Sequence, residues 1–302
     1  MTQVIKTLSD RKNDYLKYES KEKLTWCGGC GNYGIQKALE RAMVIENIKP
    51  QNAVFFFDIG CSGNGSDKIG DGEVTTFHGL HGRVISAAAA ASITNPKMKV
   101  IAEAGDGATL SEGVNHLVHG VRSNYPMLFI LHNNENYGLT TGQASATTRP
   151  GFKMNASPDG VTAQPMNACD FVMSLNPTFV ARTFSGDVNH MTEVIQAGLK
   201  HNGFAFIEIM QLCPTYNKST SATWFWDRFR NVRDLKGFNP QNFKMAREVA
   251  QDIDKEIAMG ILYQDLESKN YLEHLPQRQG KKTTLVDEVS HVDIRPFLKK
   301  LA

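Results

Sequence analysis

Short apolar runs alternate with amphipathic or small-residue segments through the middle of the chain. Residues 53–59 are almost wholly apolar and stop at Gly60, which predicts a buried strand. Residues 81–93 are Ala-rich and stop before Asn95-Pro96, which predicts a tightly packed helix. Residues 99–104 predict the next strand, ending at Gly105, and residues 112–123 a helix. Residues 127–131 predict a strand leading to Asn133, and residues 204–209 another, followed by Cys213-Pro214. Strands alternating with helices predict an α/β fold with a mostly parallel sheet and helices on both faces. Such sheets bind ligands beyond the carboxyl ends of their strands. Cys61, Asp106, Asn134 and Cys213 fall at those ends.

Residues 149–165 are rich in Gly, Pro, Ser and Asn and predict a long surface loop near the site. After about Tyr216 the pattern changes to many charges with scattered aromatics, opened by Trp224-Phe225-Trp226. The division is therefore a unit at 1–220 and a helical C-terminal extension at 221–302, packing on the core or on a partner. The aromatics of that opening suit packing better than base stacking.

Composition removes several classes of function. Of 302 residues, 33 are basic and 31 acidic, a net charge of +2 that points to neither nucleic acid nor a membrane surface. No apolar run approaches the roughly 20 residues needed to span a bilayer. Residues 1–23 are polar and lack the apolar core of a signal peptide, so the expected location is cytoplasmic. Five cysteines in a chain this long do not make a secreted disulfide framework.

Gly105-Asp106-Gly107 and Asn133-Asn134 bracket 25 residues, 108 to 132, enough for one helix and one returning strand. Both ends then meet at one edge of the sheet. A diphosphate with Mg²⁺ wants hard oxygen ligands. Asp106 offers a carboxylate, Asn134 an amide carbonyl, and Asn136 a backbone carbonyl. Gly105 and Gly107 allow close approach of phosphates, whose charge is favoured at the following helix N-terminus. A lone Gly-Asp-Gly is usually a turn; the paired Asn motif, followed by Tyr137-Gly138, makes the combination specific.

Cys27 and Cys30 form a C-x-x-C in a glycine-rich loop, while Cys61 and Cys213 follow strands. Four thiolates hold a 4Fe–4S cluster or Zn²⁺, and spacing alone leaves both open. Cys169 suits a small buried residue.

At this point the residues resemble a family, the β subunits of 2-oxoacid:ferredoxin oxidoreductases, most closely the 2-oxoglutarate type. The matching stretches are Trp26-Cys27-Gly28-Gly29-Cys30-Gly31-Asn32, Asp58-Ile59-Gly60-Cys61-Ser62, Gly79-Leu80-His81-Gly82-Arg83, Gly105-Asp106-Gly107, Asn133-Asn134 through Tyr137-Gly138-Leu139-Thr140 to Gly142-Gln143, and Cys213-Pro214-Thr215-Tyr216-Asn217. They cover roughly residues 20–220; residues 257–263 resemble the family's C-terminal segment more loosely.

The resemblance implies a thiamine-diphosphate-binding fold. It implies that Cys27, Cys30, Cys61 and Cys213 ligate one 4Fe–4S cluster. Ile59, Gly60, Cys61, Ser62, His81, Gly105, Gly107, Gly138 and Leu139 would contact the diphosphate cofactor; Asp106, Asn134 and Asn136 would hold Mg²⁺. It implies an α subunit that bears the Glu activating the cofactor, with no catalytic residue assigned in this chain, which alone would be inactive. Coenzyme A and a 2-oxoacid would be substrates, 2-oxoglutarate before pyruvate, in oxidative decarboxylation or its reverse, and ferredoxin would take the electrons. A non-redox thiamine decarboxylase has no reason for four placed cysteines, and a zinc-stapled structural protein none for the Asp106–Asn134 pair. Two departures bear on substrate choice: Ala108 stands where the family often has Asp, and Thr141 where it often has Lys or Gly. His116, His119 and His132 are expected to be structural. Arg83 fits either a salt bridge or a place facing the substrate.

Overall fold

The computed structural model describes residues 17–289 and 293–300. Most of the polar start, residues 1–16, lies outside the described residues, as do 290–292, 301 and 302 of the extension. In chain order come α1 (Asn32–Ile45), β1 (Ala53–Phe57), β2 (Thr75–His78), α2 (Val84–Thr94) and β3 (Lys99–Gly105). A π-helical turn (Gly107–Glu112) leads to α3 (Val114–Ser123) and β4 (Met127–Asn133). Then follow α4 (Ala168–Met173), β5 (Phe179–Phe184), α5 (Val188–Lys200), β6 (Phe204–Met210), α6 (Ala222–Arg228), β7 (Phe229–Asn231), α7 (Phe243–Ala250) and β8 (Ile257–Gln264).

All eight strands share one sheet in the order β2-β1-β3-β4-β6-β5-β8-β7. The run from β2 to β5 is parallel, β8 is antiparallel to β5, and β7 is parallel to β8. Successive strand side chains point to opposite faces, and the core divides accordingly. Phe56, Ala102, Phe129 and Phe206 pack on one face with Ala88, Leu117 and Ala246 from α2, α3 and α7. Phe55, Ile101, Leu128 and Ile207 pack on the other with Leu39 and Ile195 from α1 and α5. Burial on both faces is why β1, β4 and β6 appear as continuous apolar runs.

Two expectations need correction. The helix expected from residue 81 begins at Val84. Gly82 takes φ +69°, and the Gly82 and Val84 N–H groups donate to the Asp58 carboxylate instead of opening a helix earlier. The tail is not helical throughout: β8 adds to the open edge of β5, with its first four residues buried. Its run of eight residues is too short for a typical helix, and the edge of β5 supplies partners for its backbone. Among the described residues no helix is long and apolar enough to cross a membrane.

Candidate active site

The carboxyl ends of β1, β3, β4 and β6 deliver residues 58–62, 106, 134 and 211–213 to one place. An open cavity lies there. Ile59, Gly60, Cys61, Ser62, His81, Gly105, Asp106, Gly107, Asn134, Asn136, Gly138 and Leu139 all line it, so every residue expected at the diphosphate and Mg²⁺ meets in one cavity.

Asp58 joins the first two segments. Its carboxylate accepts from the N–H groups of Ile59, Gly82 and Val84 at 2.8, 2.8 and 3.2 Å. His81 Nδ1 lies 2.9 Å from the Glu112 carboxylate, which also accepts from the Tyr137 hydroxyl at 3.1 Å. Arg83 donates to the backbone carbonyls of His81 and Glu112, a structural closure.

Asp106 is fully buried. Its Oδ2 accepts from Ser145 Oγ and Thr147 Oγ1, both at 2.5 Å, while its Oδ1 has no partner. Burial holds this carboxyl up at about 6, against the lowering pull of the two hydroxyls. Asn134 Oδ1 accepts from the Asn136 N–H at 3.0 Å, and Asn136 Oδ1 is buried without a partner, as is Ser62 Oγ. Unpaired buried oxygens are costly; three around one cavity suit a cation and a polar ligand. Glycine at Gly105 leaves space that belongs to the cavity: an added Cβ would meet no protein atom within 4 Å. Gly107 answers to a different constraint, because a Cβ there would strike the Tyr137 ring.

The turn 134–136 is braced from outside. Glu135, at φ +59°, is buried and accepts from Arg149 Nε at 3.0 Å and Asn217 Nδ2 at 3.1 Å. Asn217 Nδ2 also donates to the Asn134 carbonyl at 3.2 Å, so the segment after Cys213 supports this turn.

Cys27, Cys30, Cys61 and Cys213 are free thiols drawn from three segments. The Cys30 N–H donates to the Cys27 carbonyl at 3.0 Å, and the Gly31 N–H to Leu212 O at 3.0 Å. Trp26 Nε1 and Asn32 Nδ2 both donate to the Cys61 carbonyl, at 2.7 and 3.2 Å. Burial first, then the charges of Cys30, Cys213 and Cys27, push the Cys61 thiol up to about 12. Cys61 and Cys30 therefore each lie in the fields of the other cysteines of the set. A Cβ at Gly138 would come 3.3 Å from Cys61 Sγ and 3.2 Å from Asn136 Oδ1, so a side chain there would crowd both the thiol and the oxygen-lined side of the cavity. Among the described residues, no three of His, Cys, Asp or Glu converge tightly enough for a single metal ion. Cys169 is buried as expected, with its thiol 3.1 Å from Glu208 Oε2.

Residues 58–209 match the family model of the thiamine pyrophosphate enzyme, C-terminal TPP binding domain. Residues 213–280 match that of the C-terminal part of the pyruvate ferredoxin oxidoreductase beta chain. The 2-oxoacid:ferredoxin oxidoreductase subunit beta of a Sulfolobus species is 35% identical, over 87% of this chain and 94% of its own. This chain belongs to the β subunits of the 2-oxoacid:ferredoxin oxidoreductases. The 2-oxoglutarate synthase subunit KorB of Methanocaldococcus jannaschii is 32% identical to this β subunit, over 86% and 95% of the two chains. The 2-oxoglutarate:ferredoxin oxidoreductase from Magnetococcus marinus, solved with 2-oxoglutarate, coenzyme A and succinyl-CoA bound, superposes with a TM-score of 0.84. It is 28% identical and covers 96% of each chain. The β subunit is thus the thiamine-diphosphate-binding component of an oxidoreductase and has an α subunit as partner.

Sequence reasoning missed Ser145, Thr147 and Gln211; His132, expected to be structural, lies at the cavity wall with its ring tied to Asn32 and Glu103. Isolated hydroxyls and amides carry no spacing signal. Only the position of Gln211, two residues before Cys213, hinted at a place near the thiols.

Proposed function

We propose that this β subunit holds thiamine diphosphate with Mg²⁺ and one 4Fe–4S cluster. With its α subunit it catalyses the coenzyme A-dependent oxidative decarboxylation of a 2-oxoacid, or the reverse carboxylation, and exchanges electrons with ferredoxin. The substrate is 2-oxoglutarate in preference to pyruvate, in keeping with the names of the KorB relative and of the structural neighbour. The observation that carries the reading is the cavity in which unpaired Asp106 Oδ1 and Asn136 Oδ1 lie beside Cys61.

In this reading Asp106, the Asn134 side chain and the Asn136 carbonyl hold Mg²⁺. Ile59 to Ser62, His81, Gly105, Gly107, Gly138 and Leu139 receive the cofactor. When bound, the cofactor supplies the electron sink for breaking or making the bond to CO₂. The chain's own part is to position and to exclude water. Ser145 and Thr147 aim Asp106 by holding one of its oxygens, and Glu135 with Arg149 keeps the Asn134–Asn136 turn closed. Cys27, Cys30, Cys61 and Cys213 hold the cluster. Four thiols gathered beside the cofactor cavity suit a cluster that would pass electrons to and from the reacting carbon, a role Zn²⁺ does not serve. Residues 1–220 form the cofactor unit, residues 221–302 the extension that packs on it, and the reducing cytoplasm keeps the thiols available.

Anaerobic purification of the α–β complex with iron, sulfide and zinc analysis tests this. The expected result is about four irons and four sulfides per β subunit with a broad visible band. One zinc and no colour would sink the electron-transfer role.

A further inference from the structure

The segment after β6 places one amide between the cavity and the thiols. Gln211 is buried, at 2% exposure. Its Nε2 lies 2.9 Å from Asn32 Oδ1 and 3.5 Å from Cys30 Sγ, while its Oε1 has no partner. It also lines the cofactor cavity.

The hydrogen-bond network assigns the amide's orientation. Asn32 Nδ2 donates to the Cys61 carbonyl, so Asn32 Oδ1 can only accept. His132 Nδ1 meets that same oxygen at 2.9 Å and is therefore a donor, with its other nitrogen 2.9 Å from Glu103 Oε2. A flipped Gln211 would set two amide oxygens face to face at 2.9 Å. One Gln211 N–H thus goes to Asn32, and the other is left for the sulfur of Cys30. The buried His132–Glu103 pair anchors Asn32 from the opposite side.

We propose that Gln211 raises the reduction potential of the cluster by donating an N–H to Cys30 Sγ, held in that pose by Asn32. The inference rests on the cluster reading above. One-electron reduction adds negative charge to the cluster, and an N–H aimed at a ligating sulfur stabilises the more negative state. The same side chain presents Oε1 to the cavity, so one amide touches both the space for the cofactor and the ligand of its electron acceptor. The Asn32 backbone N–H also faces Cys30 Sγ, and a side-chain change at Gln211 leaves that contact in place.

The test is a potentiometric titration of the anaerobic α–β complex followed by electron paramagnetic resonance. Gln211→Met keeps the volume and removes both N–H groups. It is expected to retain its iron while its reduction equilibrium weakens three- to tenfold, about 30–60 mV for a one-electron couple. Wild-type enzyme labelled with ¹⁵N in its glutamine side-chain amides adds a measurement that needs no variant: the reduced cluster is expected to show a ¹⁵N hyperfine coupling. An unchanged potential in the iron-loaded variant, or no coupling in the labelled wild type, overturns the role of Gln211 and leaves the cluster standing. Wild-type complex that purifies without iron overturns the cluster reading, and this inference with it.

Discussion

At the scale of single residues, Asp106 and Thr141 carry opposite kinds of strain. Asp106 keeps a buried carboxylate oxygen unpaired, a cost that a bound cation repays. Asp106→Ala removes the only carboxylate among the proposed Mg²⁺ ligands. Thiamine diphosphate affinity in Mg²⁺ should fall on the order of 100-fold or more, since even supporting residues of metal sites are worth about 10–100-fold. The visible absorption of the proposed cluster should persist; calorimetric titration beside a spectrum reads both, and undiminished binding would refute the metal assignment. Thr141 is β-branched yet sits at φ +74°, a conformation that costs an L-residue roughly 1–2 kcal/mol. Thr141→Gly gives back part of the gain as backbone entropy, so a net stabilisation of about 0.5–1 kcal/mol is expected. A lower urea midpoint in the variant would show that the turn is not strained.

Among the elements, α5 ends on a histidine whose environment overrides its helix. A helix C-terminus ordinarily favours a cation, but His201 is pushed down to about 4, chiefly by burial, with Asp265 opposing and Lys99 assisting. The Thr178 hydroxyl donates to Asn124 Oδ1, so His201 Nε2 donates to Thr178 at 2.8 Å. With the folded value below the unfolded 6.5, the unfolded chain binds more protons in between. Its contribution is therefore present above about pH 6.5 and lost as the pH falls towards about 4, on the order of 3 kcal/mol in all. His201→Gln should flatten the stability profile across that window; an unaltered slope would mean another group titrates there. The same contrast between pattern and surroundings decides which elements were legible in the sequence. Strands β1, β3, β4 and β6 declared themselves because burial on both faces demands continuous apolar runs. Strand β2 did not: its four residues are exposed and Thr75 and Thr76 carry no apolar alternation. Nor did β5, where Arg182 and Thr183 interrupt a fully buried strand. The polar motifs of the cavity were legible because Gly-Asp-Gly, Asn-Asn and the cysteines have fixed spacings. Ser145, Thr147 and Gln211 have meaning only through partners far away in the chain, which no local pattern displays.

On the scale of the whole molecule, a buried polar line runs from the cavity to the C-terminal segment. Thr147 Oγ1, which donates to Asp106, also lies 2.9 Å from Asn133 Oδ1, and Asn133 Nδ2 donates to Glu208 Oε1 at 2.7 Å. Glu208 Oε2 accepts from Arg182 Nε at 2.7 Å, and Arg182 reaches the Ala250 carbonyl at the end of α7. Arg182 and Glu208 are both essentially inaccessible, so removing one partner strands a buried charge. Arg182→Leu should cost about 3–5 kcal/mol, whereas Arg182→Leu combined with Glu208→Gln should recover part of that loss; equal unfolding midpoints for wild type and the single variant would dismiss the pair as a brace. The extension itself closes the sheet. Phe184 packs on Phe225 and Phe229, with ring centroids 4.8 and 5.1 Å apart, and β8 covers the edge of β5. A chain ending at residue 220 would lose both, leaving the fully buried strand β5 as an open edge. Such a truncation should aggregate even when co-produced with the α subunit, and sedimentation of the soluble fraction would reveal it. A monodisperse 1–220 fragment with a cooperative unfolding transition would instead mean that the cofactor unit is complete without β8, and that the extension serves the partner rather than the core.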